Sequence, residues 1–442
     1  MKKHLIAITL IILLIATGVI IYLAQGDKAQ LAAGADTGKE PVFTAPRSEL
    51  IPTINVAEVK VWTADQKPTA AQGLAVARFA EGLAHPRSMM PLPNGDILVA
   101  ETNSPPRPSG GIVDRVMNYL MDKAGAGVPS ANRITLLRDA DGDGRAETKT
   151  AFLTGLHSPY GMALVGDTLY VANTDALMAF PYKPGDTRIT AKGRKILNLP
   201  AGAPNNHWTR SLTVSPEGLL YVGVGSNSNI GENGLDSEAN RAAVLEVDPK
   251  TGGYRIYASG LRNPVGLAFE PNSGALWGVV NERDMLGSDL VPDYLTRLEF
   301  GGFYGWPWNY WGGYEDRRVQ PQRPELREYT KRPDYALGNH VAPLGLTFAD
   351  KVKIGGSFAN GAFVGLHGSW NRKPAAGYKV VFVPFAANGE VSKAKPVDVL
   401  TGFLDADGNA RGRPVDVAAD AKGALLVSDD VGGIIWRVTG AR

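Results

Sequence analysis

The sequence predicts an all-β chain: a six-bladed β-propeller with an N-terminal membrane anchor or signal segment ahead of it. Three observations carry this. A short phrase, clearest as Gly260-Leu261-Arg262-Asn263-Pro264-Val265-Gly266, returns in altered form at Gly82-Leu83-Ala84-His85-Pro86 and Gly155-Leu156-His157-Ser158-Pro159. Each copy leads into an apolar run, a turn and a second apolar run. These runs are short and alternating or continuous, without the 3.6-residue period of helices. Finally, Gly (52) and Pro (30) exceed ordinary usage and are spread over the whole chain, which indicates many turns rather than one disordered tract.

Six copies follow in order, with strands starting at Pro86, Pro159, Arg210, Pro264, Pro343 and Pro414. Their turns are Pro93-Asn94-Gly95-Asp96, Gly166-Asp167, Pro216-Glu217-Gly218, Pro271-Asn272-Ser273-Gly274, a longer one at 354–361, and Asp420-Ala421-Lys422-Gly423. The intervals leave room for two further strands per copy, so each copy is one four-stranded blade of a radial array over 72–442. The run Leu74–Ala80 is expected to pair with the C-terminal sheet and close the ring. Three stretches break the repeat: 104–133, with one short amphipathic helix expected at Val113–Lys123; 284–336, rich in aromatics; and the polar loop 368–377. Long loops on a rigid scaffold are where function tends to sit.

Ahead of the propeller, Lys2 and Lys3 precede an uncharged apolar run from Leu5 to Ala24. It is longer than the apolar core of a secretory signal and long enough to span a bilayer. The expectation is an anchor over residues 1–24 with Lys2 and Lys3 inside, a cleaved signal being the alternative. Residues 25–71 read as a spacer. The body is then periplasmic or otherwise extracytoplasmic, tethered to the inner membrane by residues 5–24. The chain has no cysteine, which excludes disulfides, Cys-ligated zinc and thiol catalysis. A net charge of +2 without a basic run gives no sign of nucleic-acid binding.

The first strand of each blade lines the channel, so residues at blade entries are the candidates for chemistry. His85, His157, His207, His340 and His367 lie there, with Arg87, Arg210, Arg262, Arg372, Arg411 and Arg413. Singly, such residues commonly bond neighbouring carbonyls. As a set they point to a pocket for an anionic ligand, since guanidinium forks suit carboxylates. Separately, Asp139, Asp141 and Asp143 stand at positions 1, 3 and 5 of a calcium-type loop with Gly144 at 6 and Glu147 beyond. Thr150 at position 12 means that it is no EF-hand, and the plain alternative is an Asp-Gly hairpin turn. The aromatics of 303–314 could stack on a sugar, but packing is the weightier reading.

Several pieces in one order carry a resemblance: Asn206-His207-Trp208-Thr209-Arg210, Leu261-Arg262-Asn263-Pro264, Gly301-Gly302-Phe303-Tyr304-Gly305-Trp306-Pro307, Val341-Ala342-Pro343, His367-Gly368-Ser369-Trp370-Asn371-Arg372 and Arg411-Gly412-Arg413-Pro414. In these the sequence resembles the soluble quinoprotein sugar dehydrogenases and their sorbosone dehydrogenase-like relatives. The resemblance implies a propeller that binds pyrroloquinoline quinone (PQQ) and Ca2+ and oxidises an aldose or a related sugar or aldehyde by hydride transfer. It implies His207 as general base, Arg262 as its electrostatic partner, and Arg262, Asn263, Tyr335, Arg372, Arg411 and Arg413 at the cofactor. It places calcium at carbonyls near Glu282 and Asp284. Electrons would leave to a quinone or cytochrome acceptor. Glucose-oxidising members carry an aspartate behind the catalytic histidine, where this chain has Gly225-Ser226-Asn227, and Gly-Pro where it has Arg283-Asp284. Two other readings of the propeller are a calcium-dependent lactone hydrolase and a non-enzymatic binding domain.

Overall fold

The computed structural model describes residues 26–106 and 110–441; the expected anchor at 1–24 lies outside the described residues. Six sheets, each built on four antiparallel strands, are arranged radially around a channel. In the first blade the strands are Pro86–Pro91, Ile97–Glu101, Arg133–Arg138 and Thr148–Leu153. The sixth is made of Pro414–Ala419, Leu425–Asp429, Ile434–Gly440 and, as its outer strand, Leu74–Glu81 from the start of the propeller. That pairing closes the ring.

Proline recurs at the head of the innermost strands for a physical reason. The innermost strand is a sheet edge, where a missing N–H costs no ladder bond. Directly after Pro86, Pro264, Pro343 and Pro414 the register with the next strand slips. Such bulges re-aim side chains, and the residue after each proline takes up a channel position. Val265, Leu344 and Val415 meet Tyr160 and Trp208 in one apolar cluster across the axis, with the Arg87 guanidinium over both aromatic rings. This layer separates an upper cavity from a smaller one at the far end of the channel.

Between neighbouring blades the core is a set of apolar wedges. One example joins Phe363, Phe382 and Val399 of the fifth blade to Val417, Leu425 and Trp436 of the sixth. The middle strands are buried on both faces, which explains their continuous apolar runs, while outer strands such as Arg194–Asn198 are largely exposed. The short helix spans Ile112–Lys123, inside the first-blade insertion.

Residues 26–71, which composition marks as a spacer, are laid onto the propeller as a strap. Thr37–Gly38 adds to the outer edge of the fourth blade and Thr69–Ala70 to that of the fifth. Between them the strap arches over the channel mouth. Glu49 N–H bonds the Met285 carbonyl, Asn55 N–H that of Trp370, Val59 N–H that of Lys123, and Lys60 N–H that of Ala410. Trp62 then drops into the wedge between the fifth and sixth blades, where its indole N–H donates to Asp429 at 2.8 Å.

Candidate active site

The channel mouth opens into a cavity of about 520 Å³. Its lining comes from the strands and loops at every blade entry except the second, roofed by Val56 of the strap and by Met117, Leu120 and Met121 of the helix. Two clusters of ionisable groups face each other across it.

The first surrounds His207. Its Nδ1 lies 2.8 Å from the Ser226 carbonyl and 3.0 Å from Ser226 Oγ. Since Ser226 Oγ itself donates to the Ser228 carbonyl, the imidazole carries its proton on Nδ1 and presents an Nε2 lone pair to the cavity. Burial, helped by the nearby Arg262 charge, pushes the pKa of His207 down to about 3. Gly225 makes the arrangement possible. A Cβ there would stand 2.4 Å from Asn263 Oδ1 and 2.5 Å from His207 Cβ. Arg262 is fully engaged: Nη1 donates to the Glu282 carbonyl (2.7 Å), Nη2 to Asp284 Oδ2 (2.8 Å) and to Asn229 Oδ1 (3.0 Å). Asp284 also accepts from Asn371 (2.8 Å). Burial alone would raise its carboxyl, but Arg262, His340 and Asn371 hold it well below the usual carboxylate range.

The second cluster centres on Asp430. Its Oδ2 accepts from Arg87 at 2.7 Å and lies 2.9 Å from His367 Nε2 and 3.6 Å from His85 Nε2. Burial, then the Arg413 charge, pushes His367 down to about 3. Arg413 bonds the His367 and Gly368 carbonyls, and among the described residues no carboxylate pairs with it. A third buried acid, Asp293, accepts the backbone N–H groups of Glu282 and Ala342, and burial pushes it up to about 7.

The sequence profile of the family described as TrAA12-like matches residues 68–292 and 323–441. The chain belongs to this family. A PQQ-dependent pyranose dehydrogenase of Coprinopsis cinerea is 27% identical to this TrAA12-like protein over 426 residues, taking in 81% of the chain and 56% of that relative, so the chain spans about half the relative's length. An aldose sugar dehydrogenase of Escherichia coli is 26% identical over 169 residues, 35% of this chain and 44% of that one. Among solved structures, the holo PQQ domain of the Coprinopsis cinerea enzyme superposes with a TM-score of 0.67 at 23% identity, covering 87% of this chain and all of that one. A Trichoderma reesei structure of carbohydrate-active enzyme family AA12 gives 0.69 at 20%, covering 86% and all of that chain. At these identities the superpositions establish a common propeller.

Of the residues singled out in the sequence, this TrAA12-like chain brings His207, Arg262, Asn263, Glu282, Asp284 and Arg413 to the cavity, with His85, Arg87, His340 and His367. Others are placed elsewhere. Tyr335 is fully buried in the outer strand of the fourth blade and donates to the Ala394 carbonyl, so it does not reach the cavity. Arg411 turns to Gln66 of the strap and Asp405. Arg372 is spent on the Ser288 and Pro374 carbonyls. His157 pairs with Asp175 at the surface.

At Glu282 and Asp284, where the resemblance places calcium, the carbonyls already accept protein donors, while Glu282 Oε1 is buried without a donor among the described residues. The Glu282 carbonyl receives Arg262, the Asp284 carbonyl receives Asn229 and Arg318, and the Glu282 carboxylate holds Arg283. Asp139, Asp141, Asp143 and Glu147 do gather, with one oxygen of each within 4.8 Å of the others. That loop lies at the end of the propeller opposite the cavity, beside the far hairpin of the sixth blade, where Lys422 bonds Asp139. The aromatic insertion packs rather than lining the cavity: Tyr304, Trp306, Tyr310 and Trp311 are buried. Asp430, Asp293 and Asn229 were not read from the sequence, and Asn371 only as part of a motif. A signal existed for Asp430, since Asp429-Asp430 ends the hairpin opened by Pro414 just as Glu101 ends the one opened by Pro86.

Proposed function

We propose that this TrAA12-like protein is a PQQ-dependent dehydrogenase that oxidises an aldose or a related sugar or aldehyde such as sorbosone. The observation that carries the reading is His207, a neutral imidazole whose Nδ1–H is fixed on the Ser226 carbonyl so that Nε2 faces the cavity as a proton acceptor. The cavity also suits the cofactor's chemistry. PQQ is a planar tricarboxylate with a ring N–H; the cavity offers Arg413 without a carboxylate partner and Asn263 Oδ1, a buried acceptor with no donor among the described residues. Arg87 and Arg262 are each paired with a carboxylate, Asp430 and Asp284, which leaves Arg413 as the cavity guanidinium without one among the described residues.

PQQ supplies a two-electron acceptor of hydride when bound. His207 would take the hydroxyl proton of the substrate at Nε2, while its Nδ1–H holds the ring orientation. Arg262, locked by Asp284 and Asn229, would set a fixed positive potential beside the reacting centre, at no cost of reorganisation. The strap and the helix would exclude water from above. The relatives' activities and the holo PQQ domain of the Coprinopsis cinerea enzyme support this assignment. The electrons would pass on to a quinone or cytochrome. Calcium, present in a Trichoderma reesei family structure, would bind this chain at the Asp139–Glu147 loop as a structural ion. The lactone-hydrolase reading is disfavoured because, among the described residues, no three His, Asp or Glu side chains of the cavity stand close enough to share an ion.

The test is titration of the purified protein with PQQ, followed by dye reduction across aldoses and sorbosone. Saturable binding and turnover are expected. His207→Ala should keep PQQ binding and lose about 10²–10⁴-fold in kcat. Absence of PQQ binding, or full activity in that variant, refutes the assignment.

A further inference from the structure

The exposed apolar side chains around the cavity share one face. Leu50 (87% exposed), Ile51 and Ile54 stand on the strap, and Val116, Met117 and Tyr119 (66%) on the helix. Both elements roof the cavity, and the Val59 N–H joins them at the Lys123 carbonyl. Exposed Lys28, Lys60 and Arg115 lie on the same two elements, together with exposed Glu58 and Asp122. Apolar side chains mixed with basic ones make a surface suited to the headgroup boundary of a bilayer.

The place where the chain leaves the described structure lies on this face too. Gly26 is packed against Thr53, which sits between Ile51 and Ile54, and Asp27 N–H donates to Thr53 Oγ1 at 2.6 Å. The uncharged run in the sequence ends at Ala24. Only Gln25 intervenes, and one residue reaches at most about 3.6 Å. A membrane span at Leu5–Ala24, as expected from the sequence, would leave one residue between the bilayer and this face.

We infer that the mouth of the propeller lies against the phospholipid bilayer, with Leu50, Ile51, Ile54, Val116, Met117 and Tyr119 as the contact surface. The inference rests on the membrane tether expected from the sequence, not on the chemistry proposed for the cavity. It turns the cavity toward the lipid and the Asp139–Glu147 loop away from it.

The absence of native cysteine makes the test clean. The full chain, in vesicles of phosphatidylcholine and phosphatidylglycerol, is labelled with an environment-sensitive fluorophore at Leu50→Cys, Ile54→Cys or Tyr119→Cys, and at Glu217→Cys on the opposite end. Nitroxide-bearing lipids are then added. The three mouth positions should shift to the blue and lose roughly half of their emission or more, since interfacial side chains lie within reach of the acyl boundary, while position 217 should be unaffected. Equal response at near and far positions, no quenching at any, or recovery of the protein free of vesicles overturns the proposal. None of these readouts needs cofactor or turnover, so a failure here is separable from a failure of the dehydrogenase assignment.

Discussion

His207 is held as a neutral imidazole over the ordinary pH range. An exposed imidazole titrates near pH 6.5, and an enzyme relying on one loses activity as the pH falls through that value. Here burial and Arg262 hold the group down to about 3. The kcat/KM of the PQQ-loaded protein should therefore show no break between pH 8 and about 5 attributable to this group; a break near 6.5 would show that the imidazole is in contact with bulk water. The same shift has a stability consequence. His367 is likewise held at about 3, so below pH 6.5 the unfolded chain takes up a proton that the native state refuses. Stability on this account is intact above 6.5 and falls as the pH drops toward 3, by about 1.4 kcal/mol per pH unit per group. Asp293, pushed up to about 7, works in the opposite sense, favouring the native state at low pH and losing that advantage as the pH rises from about 4 to 7. His367→Gln should gain on the wild type in chemical unfolding as the pH is lowered from 7 to 5. At this scale the sequence was legible where a residue sits in a blade-entry motif, as with His207, Arg262 and Asn263. It was not legible where the partner comes from afar. Arg411 and Arg413 look equivalent in sequence, yet only Arg413 reaches the cavity, because Gln66 of the strap claims the other.

The elements that hold these residues are braced by the 284–336 insertion. Arg283 is fully buried and donates to the carbonyls of Pro307 and Asn309, with Glu282 and Asp316 as its counter-charges. Trp306 donates to the Asn229 carbonyl, and Asn229 in turn bonds Arg262. The departure from Gly-Pro at 283–284 thus has a visible purpose: Arg283 pins the insertion, and Asp284 locks Arg262. Gly260 sits where the insertion meets the third blade, with φ of 71°, and a Cβ there would stand 2.6 Å from Gly305 N. Gly260→Ala should cost about 1–3 kcal/mol of stability, from the left-handed backbone and the displaced neighbour, and should raise the KM for substrate through Asn229 and Arg262. An unchanged unfolding midpoint would refute this account of the contact. Strand positions were legible because the Pro-led repeat is a local signal. The strap was not, because its spacer-like composition says nothing of the carbonyls that it finds at 285, 370, 123 and 410.

For the whole molecule, the strap and the ring closure are one construction. Trp62 stands edge-on to Trp436 (5.5 Å) and Phe403 (5.6 Å) while bonding Asp429, which also accepts from the Trp436 indole and the Arg413 backbone. Trp62→Ala should destabilise the fold by about 3–5 kcal/mol and open residues 26–71 to limited proteolysis; a protease-resistant strap in that variant would contradict the packing described. The ring closure also imposes an order of events in time. Leu74–Glu81 leaves the ribosome, and on the expected route crosses the membrane, before any of the six blades. Its ladder partner among the described residues, Ile434–Gly440, follows every other propeller strand in the chain. Until then the early strand is an unpaired edge, the kind of surface that invites wrong partners. The strap laid over the mouth by the same N-terminal stretch cannot settle either, since Trp62 has no Trp436 to lean on. The protein is therefore committed to a late and concerted final step, in which seam, strap and cavity roof are completed by the same few C-terminal residues.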